Sequence, residues 1–271
     1  MSTENKSIVT DGIKSQDRVK KHGEVFTPVH IVRDMTAMVN KALHEKLDEH
    51  GITSDADKAK ELLKKTWLEP ACGTGNFLVE ILKDKLSYVE MLAKPEDAKL
   101  DMYTLMAVAT IYAIDIQLDN VLESRARLID TPAPTDIENG YETLTAWYKR
   151  YTGAEMSANL LDSARYITEK NIIHGNALTG TYYEGAGDNA KDTKRDMIII
   201  EWIFNNSGEC RLDDVTFNSL KDGSTGSSKD TYGKKYFKIT NLRQAESNKF
   251  VDACETGEEV TAAEANESLD F

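Results

Sequence analysis

The sequence predicts an α/β protein with a doubly wound, mostly parallel sheet and flanking helices. Short apolar runs of strand length alternate with longer amphipathic runs of helix length. The first apolar run ends in a glycine turn, "ACGTGN", that leads straight into a helical pattern. Hydrophobic residues make up 40% of the 271 residues, and no apolar run approaches the ~20 residues that span a bilayer. We therefore expect a cytoplasmic protein with a buried core and no membrane association.

Two helices are expected before the first strand. In "FTPVHIVRDMTAMVNKALHEKL", Thr27 is expected to be the N-cap and Pro28 the first helical residue. "ITSDADKAKELLKK" predicts a connecting helix capped by Ser54 or Asp55. The helical spacing of the first segment predicts an inward apolar face made of Ile31, Met35, Met38, Val39, Ala42 and Leu43.

Four strands are expected, at "TWLEP", "AVATIYAID", "NIIHGNAL" and "DMIIIEWIF". Residues 76–86 are expected to form a helix after the first strand, and "LDNVLESRARL" a helix after the second. Helical crossovers between strands favour parallel pairing in one sheet. We expect one domain over residues 23–250, a flexible segment over 1–22, and an acidic, disordered tail over 251–271.

Composition narrows the classes of function. The net charge is −13, from 46 acidic and 33 basic residues. A protein that binds nucleic acid by itself normally has a basic excess, because neutralised phosphates supply much of the affinity. The three cysteines are far apart and the five histidines show no ligand spacing. No metal site is predicted.

Polar residues stand at three successive strand ends, where ligands bind in open α/β sheets. Gly73 and Gly75 form the turn after the first strand, although Leu78 replaces the third glycine of a dinucleotide fingerprint. Asp115 ends the second strand, where it could hold ribose hydroxyls or cap a helix. Asn176 follows the third strand, where it could contact an adenine edge or form a turn. Together these residues predict a nucleoside pocket.

Four stretches, "GEVFTP", "LEPACGTGNFL", "YAIDI" and "IIHGNAL", occur in this order. They resemble the N6-adenine DNA methyltransferases, especially the type I modification-subunit and gamma-class group. The resemblance covers roughly residues 20–205. It implies a Rossmann-like methyltransferase fold that binds S-adenosylmethionine. It also implies a DNA adenine-N6 methyltransferase, or a modification subunit of a restriction–modification system with its partner subunits.

The resemblance assigns roles to residues. Thr27 and Pro28 match the N-terminal motif beside the methionine end of the cofactor. Asp115 matches the ribose-binding acid, and Asn176 matches the adenine contact, where the family often has Asp. The cofactor loop matches Glu69, Pro70, Ala71, Cys72, Gly73, Thr74, Gly75, Asn76 and Phe77.

The chain departs from the family at the catalytic motif, Asn/Asp-Pro-Pro-Tyr/Phe, which follows the fourth strand. No proline follows "DMIIIEWIF", and no Pro-Pro pair occurs anywhere. In this register, Glu201 could accept from an adenine amine, and Trp202 or Phe204 could stack on a flipped base. The same residues also fit an ordinary strand in the core.

Three functions remain open at this point. The chain is a DNA methyltransferase or modification subunit, with catalysis by Glu201, Trp202 and Phe204. Alternatively, it is a catalytically degenerate relative that binds S-adenosylmethionine or a partner without transferring methyl. A protein or RNA substrate is the third. The chain contains no evident target-recognition domain, so DNA is expected to be reached through a separate specificity subunit.

Overall fold

The computed structural model describes residues 14, 18–20, 24–221, 232 and 235–246. These residues form an α/β structure with a mixed five-stranded sheet, flanking helices and a second, three-stranded sheet. No helix among them is long and apolar enough to cross a bilayer. The predicted tail, residues 251–271, and most of the predicted N-terminal segment lie outside the described residues.

The helices alternate with the strands along the chain. They are α1 (Val29–Glu49), α2 (Asp55–Lys64), α3 (Asn76–Leu92), α4 (Leu100–Ala109), α5 (Leu118–Ile129), α6 (Pro134–Asn139), α7 (Leu144–Thr152), α8 (Ala158–Asn171) and α9 (Phe217–Lys221). Single 3₁₀ turns occur at Gly187–Asn189 and Ile239–Asn241.

The strands are β1 (Trp67–Glu69), β2 (Ile111–Asp115), β3 (Ile172–Asn176), β4 (Thr181–Glu184), β5 (Lys191–Asp196), β6 (Ile198–Phe204), β7 (Glu209–Thr216) and β8 (Tyr236–Lys238). The first sheet has the order β1-β2-β3-β4-β5. Its first three strands are parallel, as the helical crossovers predict. Strands β4 and β5 continue it in antiparallel pairing. The expectation of a mostly parallel sheet is therefore confirmed only for β1–β3.

The fourth predicted strand, "DMIIIEWIF", needs a correction. It forms β6, which pairs with β7 in a separate antiparallel sheet of order β6-β7-β8. The reason is the short connection to β7. The side-chain oxygen of Asn205 accepts from the backbone N–H groups of Ser207 and Glu209 and closes a tight turn. A connection of this length makes a hairpin, whereas parallel pairing needs a crossover of about a dozen residues.

The core lies between the first sheet and the helices packed on it. Helix α4 packs between α3 and α8, and the second sheet adds to the same core. The hydroxyl of Tyr112 on β2 donates to the carbonyl of Ile200 on β6 at 2.7 Å and links the two sheets. Side chains with no solvent exposure include Leu78, Leu82, Leu105, Ala113 and Ile167.

Helix α1 differs from its prediction at both its start and its inward face. Pro28 is the N-cap, with φ −59° and ψ 145°, and α1 begins one residue later, so Thr27 is not the cap. The buried residues are Val32, Thr36 and Leu47. The expected inward residues Ile31, Met35, Met38 and Val39 are exposed. Apolar residues extend around much of this helix, and α2 and α3 cover only one side of it.

The buried side chain of Lys85 binds carbonyl groups at the carboxyl end of α2. The ammonium of Lys85 on α3 donates to the carbonyls of Leu62 and Leu63 at 2.8 Å each and to that of Lys65 at 2.5 Å. These carbonyls lie at the end of α2, where a helix leaves carbonyl groups with acceptor capacity for side-chain donors. The side chain is 1% exposed, and burial lowers the pKa of Lys85 to about 7.

We expect Lys85→Met to lower the free energy of unfolding by about 2–4 kcal/mol, because it removes three hydrogen bonds from a buried side chain to carbonyls at the end of α2. The effect should grow between about pH 7 and pH 10. There the unfolded chain keeps a proton on this lysine that the native chain releases, so wild-type stability rises with pH. Urea unfolding across that range measures both effects. Lys83→Met, at a half-exposed position on the same helix, is the control and should change stability by less than about 1 kcal/mol.

Candidate functional site

The glycine turn joins β1 to α3 at the carboxyl edge of the parallel strands. Gly73 has φ +53° and Gly75 φ +93°, backbone conformations that L side chains rarely adopt. Gly75 is the N-cap of α3, so no side chain caps the helix, and its first turn contains no acidic residue. The N–H groups at the start of α3 are therefore available at this edge of the sheet.

Asp115 touches the glycine turn directly. One carboxylate oxygen accepts from the backbone N–H of Gly73 at 2.8 Å. The other accepts from Gln117 N at 2.8 Å and from the side-chain amide of Asn120 at 3.2 Å. The residue is 8% exposed, and desolvation raises its pKa although these hydrogen bonds oppose the rise. Two predicted cofactor residues thus meet, and Asp115 also orders the start of α5.

Packing within the chain explains why both glycines are needed. A Cβ atom at Gly73 would lie 2.8 Å from the ring of Phe26, and one at Gly75 would lie 2.9 Å from the hydroxyl of Ser124. That hydroxyl donates to the carbonyl of Gly73 at 3.0 Å. The turn is therefore packed between the segment before α1 and one face of α5.

A buried arginine that sequence reasoning missed holds the turn in place. Arg127 on α5 forms a bidentate ion pair with Asp136, with distances of 2.9 and 2.5 Å. It also donates to the carbonyl of Thr74 at 2.6 Å and to the side-chain oxygen of Asn76 at 3.0 Å. The amide of Asn76 in turn donates to the carbonyl of Thr27 at 2.9 Å. The signal in the sequence was an arginine on the inward face of "LDNVLESRARL".

The N-terminal residues that the structure describes are attached to the start of α5. The carboxylate of Glu24 accepts from Asn120 at 2.7 Å and from Arg18 at 2.6 Å. Arg18 and Lys14 both pair with Asp119. Burial alone would raise the pKa of Asp119, but hydrogen bonds from these two cations lower it to about 2. Lys14 and Arg18, within the segment predicted to be flexible, are therefore held beside the site.

The remaining loop residues turn toward the backbone. Glu69 accepts from the N–H of Ala71 at 3.1 Å, and burial raises the pKa of its carboxyl group. Cys72 is buried, and desolvation raises its pKa far above the ordinary thiol value. Pro28 is exposed at the entry to α1. These residues shape the turn, and Glu69 keeps a second carboxylate oxygen beside it.

Asn176 is the last residue of β3. The sheet register sets Asp115 opposite His174, so Asn176 stands two residues further along the adjacent strand. Its side-chain oxygen accepts from the N–H of Leu178 at 2.9 Å. This bond forms the turn toward β4, which is one of the two roles that the sequence left open. Asn176 as a whole is half-buried at the same edge of the sheet.

The three predicted catalytic residues are not brought to this edge. The indole N–H of Trp202 donates to Asn171 at 2.8 Å, and the amide of Asn171 donates to the carbonyl of Ile111, at the start of β2. Asp115 ends the same strand, roughly 13 Å away at ~3.3 Å per residue. Trp202 is 8% exposed and contacts Tyr166 edge-to-face. Trp202, which was expected as a possible stacking partner for a flipped base, thus lies at the amino end of β2, away from Gly73 and Asp115.

The other two residues lie on either side of Trp202 along β6. Glu201 is exposed to solvent, and Phe204 packs partly buried against the core. Both residues therefore belong to the second sheet. This agrees with the alternative interpretation that "IIIEWIF" is an ordinary strand in the core. No group of three His, Cys, Asp or Glu side chains that could hold a metal occurs in the part of the chain that the structure describes.

No family model matches the chain, and no curated protein or solved structure matches it significantly. The resemblance to DNA methyltransferases therefore rests on the residues themselves.

We expect Gly75→Ala to destabilise the protein more than Gly153→Ala. Both glycines have positive φ, but a Cβ at Gly153 meets nothing within 4 Å. Gly153→Ala should therefore cost only the backbone strain, about 1–2 kcal/mol. Gly75→Ala should cost about 1–3 kcal/mol more, because the methyl group collides with Ser124. Thermal or urea unfolding of the two variants measures the difference, and equal losses would contradict the tight packing of the turn.

Proposed function

We propose that this chain is a methyltransferase-like protein that binds S-adenosylmethionine and does not transfer the methyl group by itself. The observation that carries the proposal is the hydrogen bond between Gly73 and Asp115. It joins a glycine turn and a strand-end acid at one edge of a parallel sheet, the place where open α/β sheets bind nucleosides. A Rossmann-like methyltransferase fold is the finer interpretation that we propose for β1–β3.

The proposed contacts follow from the chemistry of each group. Asp115 accepts three hydrogen bonds from the chain, and a carboxylate has about four acceptor sites, so capacity remains for a ribose hydroxyl. The amide nitrogen of Asn176 can donate to an adenine ring nitrogen. Glu69 offers its second oxygen near the turn. Thr27 and Pro28 are tied to the loop through Asn76 and would flank the methionine end. When bound, S-adenosylmethionine supplies an electrophilic methyl group on a sulfonium centre.

The second half of the proposal, the lack of methyl transfer, rests on positioning. An adenine amine must be held in line with the sulfonium methyl, and such alignment provides much of the rate enhancement in two-substrate reactions. The chain lacks the Pro-Pro segment that would present the base. Trp202 supports the amino ends of the strands, far from Asp115. Trp202 therefore supplies no stacking surface beside Asp115.

The biological setting that we propose is a DNA-modification system. The net charge of −13 disfavours tight binding of DNA by the chain alone. Contact with DNA would come through a separate specificity subunit, and this chain would contribute the cofactor-binding module. Catalysis by Glu201, Trp202 and Phe204 remains the rival proposal, and the assay below distinguishes it.

Titration calorimetry tests cofactor binding. Wild-type protein is expected to bind S-adenosylmethionine, and Asp115→Ala should weaken binding at least about tenfold, because it removes a buried carboxylate acceptor (~1.5–3 kcal/mol). Asp130→Ala, at the far end of α5 in an ion pair with Arg165, is the matched control and should bind like wild type. Absence of binding in the folded wild-type protein would overturn the proposal.

A methyl-transfer assay tests the second part of the proposal, that the chain does not transfer the methyl group by itself. With radiolabelled S-adenosylmethionine and mixed-sequence DNA, the chain alone is expected to leave the DNA unlabelled. Label in the DNA that disappears in Glu201→Gln or Trp202→Phe, with cofactor affinity unchanged, would favour the rival proposal of a DNA adenine methyltransferase. Label in a purified protein or RNA instead would indicate a different substrate class.

A further inference from the structure

Helix α1 carries an apolar stripe that no described residue covers. The stripe consists of side chains that the sequence pattern had assigned to the core. Their exposed fractions are 39% for Ile31, 49% for Met35, 73% for Met38 and 45% for Val39, and Ala42 is also exposed. Methionine is well suited to contact surfaces, because its flexible thioether adapts to a partner. A patch of this kind on one helix indicates an interaction surface.

The spacing of the stripe is that of a two-helix seam. Ile31, Met35, Met38 and Ala42 are separated by four, three and four residues, which is the heptad pattern of paired helices. The buried face of α1, with Val32 and Thr36, packs toward α3. At about 100° per residue, the centre of the stripe lies about 120° around the helix from the centre of that buried face. A second helix can therefore lie along the stripe without meeting the body of its own chain.

The charges beside the stripe indicate which helix fits. Asp34 and Lys41 lie on the same flank of the seam, seven residues apart, and both are exposed. In an antiparallel pair, residues on this flank face their counterparts on the other helix. Asp34 then faces Lys41 of a second copy, and the two-fold axis repeats the ion pair. The same alignment packs Met35 against Met38 of the second copy, and Ile31 against Ala42.

We propose that α1 pairs antiparallel with α1 of a second copy of this chain to form a two-fold symmetric dimer. The surface is complementary to itself in both apolar contacts and charge, as a two-fold interface requires. The seam has only four apolar layers, so the interface is smaller than that of an obligate dimer. A reversible, concentration-dependent monomer–dimer equilibrium follows. This proposal is independent of cofactor binding.

Sedimentation equilibrium over micromolar to millimolar concentrations tests the dimer, and charge variants test its orientation. Wild-type protein is expected to dimerise. Asp34→Lys replaces two attractive contacts with two repulsive ones and should weaken dimerisation roughly tenfold. The double variant Asp34→Lys, Lys41→Asp restores opposite charges and should recover the wild-type affinity. If Asp34→Lys dimerises like wild type, or the double variant fails to recover, the antiparallel pairing is overturned.

Met38→Glu tests the apolar seam at its most exposed residue, where a fold defect is not expected. It should abolish dimerisation while circular dichroism and the unfolding midpoint stay unchanged. Leu178→Glu, at a side chain 86% exposed on the β3–β4 turn, is the control and should leave dimerisation intact. A wild-type chain that stays monomeric at millimolar concentration, or a dimer that Met38→Glu does not affect, would overturn the proposal.

Discussion

The buried ion pair between Arg127 and Asp136 is the interaction on which the shape of the candidate site depends. Both side chains are almost fully buried, and a charge left alone in such a place costs about 3–5 kcal/mol. The remaining donor of Arg127 reaches the carbonyl of Thr74 and the side chain of Asn76. One guanidinium therefore joins α5, the residues around α6, the glycine turn and the start of α3.

That network connects the glycine turn to α5, to the start of α3 and to the segment before α1. Phe26 packs beside Gly73, and Ser124 packs beside Gly75. Asp115 accepts a hydrogen bond from the backbone N–H of Gly73 in the same turn. The hydrogen bonds of Asp115 order the turn, and in the proposed function they also fix the carboxylate that contacts the ribose. A preorganised site of this kind loses less entropy on binding. The catalytic half of the resemblance has no comparable support, because β6 belongs to another sheet.

Much of the fold could be predicted from the sequence because its signals are local. The glycine turn and the alternation of strands and helices follow from residues close together in the chain, and β1–β3 are parallel as expected. Parallel strands present their carboxyl ends at one edge, so Gly73 and Asp115 were expected to meet and do. The hairpin of β6 and β7 is also encoded locally, by the turn at Asn205.

The sequence by itself determined the apolar periodicity of α1, the glycine turn and the order of polar residues at the strand ends. Only the tertiary structure decided which side of α1 is buried, since α1 packs on α3 with Val32 buried and Met38 exposed to solvent. Only the tertiary structure showed the roles of Arg127 and Lys85, or set Trp202 at the opposite end of β2 from Asp115. The physical reason is that these outcomes depend on which surfaces meet across long sequence separations, and a local pattern does not contain that information.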